Sequence, residues 1–176
     1  MQALARILLL TLLGGLLAGC VAEPVGSATP SPPFRSEAEA FAAAEATYRA
    51  YVDALNQVDL ADPATFEAVY EWTTGEAEAG AREYLSQLHA EGIAILGQTK
   101  VVGVWPLSYS SSTAVAAACA DVSGVDLVNS LGSSVVDADR PDQQSFEIHF
   151  VSTPDSALFG YSIELFRGGE AERCTL

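Results

Sequence analysis

Residues 75–107 read "GEAEAGAREYLSQLHAEGIAILGQTKVVGVWPL", and within this stretch the hydrophobic period changes. Up to Glu91 the apolar residues recur at helical spacing. Ala77, Ala81, Tyr84, Leu85 and Leu88 fall on one face, and Glu76, Glu78, Glu83, Gln87 and Glu91 on the other. Gly92 stops this helix, expected over 75–91, because glycine accepts the left-handed conformation that closes a helix C-terminus. Beyond it Ile, Val, Trp and Leu crowd the chain at a period of two, the mark of strands. Helices before this point and strands after it make the chain α+β.

Upstream, "SEAE" joins an N-capping Ser36 to Glu39 at the capping-box spacing. Phe41, Tyr48, Val52 and Leu55 then share one face, so a helix is expected over 37–57. Asp62-Pro63 is a second start signal, a cap followed by proline at the first helical position, leading into Phe66, Val69 and Tyr70. Downstream, strand-like runs at 93–107, 112–122, 145–153 and 159–167 are separated by Ser, Gly, Pro and Asp, and an antiparallel meander joins them most simply. Phe146, Ile148 and Phe150, and in the next strand Tyr161, Ile163 and Leu165, are expected to face the helices. Residues 125–136, "VDLVNSLGSSVV", read as a hairpin or flap.

The N-terminus carries an address. Arg6 precedes an apolar run, Ile7 to Leu13, too short to span a bilayer, and "LAGC" follows at 17–20. That box resembles the lipobox of bacterial lipoproteins, in which Cys20 receives a diacylglycerol and becomes the first mature residue. Ordinary cleavage after Ala22 is the alternative. Residues 21–35, with four prolines and no hydrophobic period, read as a tether reaching about 45 Å when extended. The expected organisation is a signal peptide over 1–19, a lipid-anchored tether over 20–35 and one domain over 36–176, on the extracytoplasmic face of the cell membrane.

Three cysteines leave one over unless one is modified. Lipidating Cys20 leaves Cys119 and Cys174 as a pair for an oxidising compartment, the alternative being two separate thiols. The net charge is −15, and −16 without residues 1–19. Such a field repels phosphate backbones and anionic head groups, so no nucleic-acid partner is expected and charge does not hold the protein to a membrane.

Three helices followed by a curved sheet of about four strands plus a hairpin resemble the NTF2-like, cystatin-related cone. More narrowly, "AAACADVSGVDLVNSLGSSVVDADRPD", followed by two strands and a closing cysteine, resembles a group of lipoproteins of high-GC Gram-positive bacteria without an established activity. Those relatives carry a Trp in the last strand, where this chain has "LFGYSIELF". The resemblance implies a fold and an address.

No G-x-S-x-G, P-loop, G-x-G-x-x-G or H-E-x-x-H is present, and with two distant histidines no transition-metal site or other cofactor is expected. "DADRPD" clusters Asp137, Asp139 and Asp142. It departs from the calcium-loop pattern at Pro141 and lacks a downstream bidentate Glu, so a solvated acidic turn is expected. Cone folds host acid–base enzymes of the ketosteroid isomerase and SnoaL type. Asp121 with Tyr48 or Tyr51 is the weak catalytic candidate here, with the Tyr161 hydroxyl also placed inside. By strand alternation Glu147, His149, Ser162 and Glu164 point outward. The expected function is therefore a non-catalytic binding or accessory domain of the envelope. Its partner, an envelope protein or an apolar ligand, would meet the face bearing Glu147, His149 and Glu164, or the hairpin residues Leu127, Val128 and Leu131. Homodimerisation through the same surfaces, or a hairpin that folds back into the core, are the alternatives, as is the small acid–base enzyme. A closed, filled interior would favour binding, and an open one exposing Asp121 would favour catalysis.

Overall fold

The computed structural model describes residues 34–153, 159–169 and 174. The segments expected to be a signal peptide and a tether, Cys20 among them, lie outside the described residues but for Phe34 and Arg35. No helix among the described residues is long and apolar enough to cross a membrane.

Helix α1 spans Glu37–Leu55. The Ser36 hydroxyl accepts from the Glu39 amide at 3.2 Å, while the Glu39 carboxylate reaches back to the Arg35 amide at 2.9 Å, so the capping box closes one residue early. Ala40, Ala44, Tyr48 and Val52, each four apart, are buried. The two alanines bring the helix backbone close to the sheet, against the small side chains of Ala114, Ala116 and Ala118. The second start signal at Asp62 caps the amide of Ala64 at 3.1 Å and opens a 3-10 turn over Pro63–Phe66, which continues as a single α-turn, α2, over Glu67–Tyr70.

Helix α3 spans Gly75–Ala90. Leu85 and Leu88 join Ala54, Leu60, Phe66, Val69, Tyr70 and Ile93 in a second core. Tyr84 departs from the expected inward set: it is 53% exposed, because it stands at the edge of the helix's buried stripe. At the N-terminus of α3, Thr74 donates to the Ile163 carbonyl at 2.8 Å and Ile163 donates to the Trp72 carbonyl at 2.9 Å, which lays the chain along the edge of the sheet.

The expected strand over 93–107 is two strands. β1 (Ala94–Leu96) ends at Gly97, whose φ of +79° turns the chain, and β2 (Lys100–Tyr109) follows. β3 (Thr113–Asp121), β5 (Gln143–Ser152) and β6 (Tyr161–Gly168) complete an antiparallel sheet in the order β2-β3-β5-β6, the expected meander. β4 (Asp126–Val128) pairs with β1 in a separate two-stranded ribbon, Ile95 opposite Leu127. Its turn is tied by the Asn129 side chain, which accepts from the amides of Leu131 and Ser133.

Register shifts at Val102 and Leu107 in β2 and at Glu164 in β6 bend the sheet around α1. The shift in β6 corrects the expected pattern of faces. Ile163 pairs with Phe150 and Leu165 with His149, so Leu165 turns outward and Phe166, opposite Ile148, turns in. On the outer side the Trp105 ring lies over Gly103, where a Cβ would meet it at 2.6 Å. Cys119, fully buried on this side, is bonded to Cys174 with Cα atoms 5.3 Å apart.

Candidate functional site

One end of the cone is filled. The Phe34 ring stacks on Tyr161 at 4.6 Å, Phe150 follows at 6.0 Å, and the Tyr161 hydroxyl is buried with no hydrogen-bond partner among the described residues. The other end is open, where two adjoining cavities of about 340 and 380 Å³ share Leu55, Tyr84, Thr99, Val122 and Gln144. Tyr48, Tyr51 and Val52 of α1 form one wall, being three and four positions apart on the helix. Phe146 and Gln144 of β5 and Ala120 of β3 form the floor. Phe166 enters this lining because the extra residue at Glu164 reverses the facing of β6, so one irregularity in an edge strand supplies a wall of the cleft.

The inner part of the cleft is aromatic and uncharged. Tyr48 and Tyr51 ring centroids lie 6.4 Å apart, and Tyr51 meets Phe166 at 5.2 Å. Burial pushes the Tyr51 phenol up to about 12 and raises that of Tyr48 further, with Tyr51 beside it adding to the effect, so both remain protonated donors at neutral pH. The outer part is polar at its rim. Asn56 clamps the start of β2 by bonding both the amide and the carbonyl of Thr99, at 2.8 and 2.9 Å. Arg140 closes the far side beside Val136 and Asp137.

Asp121 is not in the lining of either cavity. Its Oδ1 accepts from the Ser123 hydroxyl at 2.6 Å and the Ser123 amide at 2.9 Å, and these bonds hold its carboxyl below the ordinary range. It is a turn-former and a poor base. The interior is thus open, yet the carboxylate that would make it a catalytic pocket stands outside. Asp137 likewise accepts from the Asp139 amide at 2.9 Å, and no group of three metal-ligating side chains gathers among the described residues.

The residues expected to form one partner surface are dispersed. Glu147 and His149 face outward together, Nε2 to Oε1 at 2.8 Å. Glu164 instead stands at the shifted position in β6, its Cγ 3.3 Å from where a Gly75 Cβ would be. Leu127 packs on the second core and Val128 is half-buried, whereas Leu131 is 87% exposed at the tip of the turn. Sequence reasoning did not identify Tyr84, Gln144, Phe166 or Arg140 as cleft residues. One signal was available: Arg140 is the only Lys or Arg between Lys100 and Arg167.

No family model matches the chain, and no curated protein does. Among solved structures, a proposed aromatic ring hydroxylase from Novosphingobium aromaticivorans superposes with a TM-score of 0.53 at 16% identity, over 77% of this chain and 96% of that one. The fold is an NTF2-like cone. A protein from Catenulispora acidiphila in complex with S-DNPA matches with a TM-score of 0.49 at 12% identity, over 79% of this chain and 98% of that one. At such identities the likeness concerns the NTF2-like fold alone.

Proposed function

We propose that this protein is an envelope lipoprotein anchored through Cys20, whose NTF2-like domain binds a largely apolar ligand in the open cleft without turning it over. The observation that carries this reading is the cleft wall itself. Tyr48, Tyr51, Phe146 and Phe166 offer aromatic faces and protonated hydroxyls, and Asp121, the carboxylate considered as a base, is outside. For a protein contact in the envelope, the exposed Leu131 tip and the outward Glu147–His149 pair remain.

Binding is tested with N-phenyl-1-naphthylamine, a neutral probe that fluoresces when it leaves water. Tyr84→Asp, at a half-exposed position lining both cavities, should weaken probe binding at least fivefold at unchanged melting temperature. Equal binding by both proteins would overturn the cleft assignment. For the anchor, Cys20→Ala should release the protein from the membrane fraction, whereas intact mass showing an unmodified Cys20 or cleavage after Ala22 would reject it. Turnover of any small substrate that Asp121→Asn abolishes would replace binding with acid–base catalysis.

A further inference from the structure

The cleft combines an aromatic inner wall with one cation at its outer rim, and that cation forms no ion pair among the described residues. Arg140 is half-buried and lines the outer cavity. Its Nη2 donates to the Val122 carbonyl at 2.9 Å and the Val125 carbonyl at 2.7 Å, which fixes the guanidinium against the turn between β3 and β4. Neither Nε nor Nη1 has a protein acceptor among the described residues. No described carboxylate forms an ion pair with it, although the chain holds 23 acidic residues against 8 basic ones. Arg49 and Arg82, by contrast, are both paired with glutamates on their own helices. A guanidinium taken partly out of water without a carboxylate loses hydration that two neutral carbonyls only partly restore.

The one carboxylate in the same lining, Asp137, does not pair with Arg140. It is exposed, its Oδ1 is occupied by the Asp139 amide, and its backbone carbonyl rather than its carboxylate receives the Arg140 amide, at 3.1 Å. Water screens an exposed carboxylate more strongly than a half-buried guanidinium, so Asp137 offsets the charge of Arg140 only in part.

The geometry points to an amphipathic organic acid as the ligand of this cleft: an aryl or alkyl body against Tyr48, Tyr51, Phe146 and Phe166, and its carboxylate on an unspent Nη1 or Nε donor of Arg140. This rests on the cleft-binding reading above and adds the charge of the ligand to it. A guanidinium with unspent donors at Nε and Nη1 donates a charge-assisted bond to a carboxylate from either of them, and in a chain of strongly negative charge no other described group of the lining offers an anion such a partner.

The test uses two compounds of the same shape, 1-naphthaleneacetic acid and 1-naphthaleneacetamide, titrated calorimetrically into the mature protein. The acid should bind about tenfold more tightly than the amide, and the preference should shrink between about 0.02 and 0.5 M salt. Arg140→Gln should equalise the two while binding of the neutral naphthylamine probe persists, and Arg140→Lys should keep part of the preference. Should Arg140→Gln fail to fold for want of its two carbonyl bonds, the salt dependence on the unaltered protein decides. Equal binding of acid and amide with the neutral probe still bound overturns this inference alone. Binding of none of the three overturns the cleft reading with it.

Discussion

Replacing Gly97 by alanine should be among the most damaging single-atom changes in the domain, and the same replacement at Gly80 should help. Gly97 has φ of +79°, a conformation that disfavours a Cβ by about 1–2 kcal/mol. An added Cβ would also drive into the Gly124 carbonyl, which is backbone and cannot rotate aside, so the β1–β2 corner must move off the turn after β3 at about 1–3 kcal/mol. The expected loss is thus about 2–5 kcal/mol, against a total stability of about 5–15 kcal/mol. For a domain of this size it would lower Tm by roughly 6–20 °C. Gly80 lies exposed within α3, and nothing beyond the adjoining helix backbone comes within 4 Å of where a Cβ would stand, so Gly80→Ala should gain about 1 kcal/mol from helix propensity. Far-UV circular dichroism through thermal and urea unfolding reads both. A Gly97→Ala protein within about 0.5 kcal/mol of the parent would refute the close approach that shapes the outer wall of the cleft.

Leu127→Ala should cost about 1–2 kcal/mol, because its side chain packs on the second core, whereas Leu131→Ala should stay within about 0.5 kcal/mol. Equal losses in urea denaturation would contradict the division of the hairpin. Tyr51 is held up to about 12 in the folded chain against an ordinary 10.0, so its contribution to stability is complete below pH 10 and is lost as pH rises towards 12. The urea midpoint should fall across that window less steeply in Tyr51→Phe, and a Tyr51 phenolate absorbing near pH 10 in the folded protein would disprove its burial. Reducing the Cys119–Cys174 bond, which closes 55 positions, should lower stability by up to about 4 kcal/mol on the chain-entropy model; an unchanged midpoint with reductant would count against that model here.

Local chemistry wrote the elements directly. The Ser36 cap, the Asp62-Pro63 start, the stop at Gly92 and the change of period after it each act through residues within one turn of one another, so helices and strands could be read in order. The meander follows too, since short connections leave neighbouring strands little choice. The cleft was not legible, because it depends on contacts between residues far apart in the chain. β6 takes an extra residue at Glu164 while Ile163 is held from the other side by the backbone of Trp72 and Thr74, roughly ninety positions earlier, and strict alternation would have turned Leu165 inward in place of Phe166. Gly97 breaks what looks like one strand, because its φ of +79° turns the chain where the Gly124 carbonyl leaves no room for a side chain. Asp121 at the end of its strand was a weak candidate for the interior, and the Ser123 turn fixes it outside, while Arg140 became a cleft residue only when two carbonyls of the β3–β4 turn drew it to the rim. A period of two says which residues can share a face; a bulge or a bend decides which ones do, and its position is set by the surface packed against it.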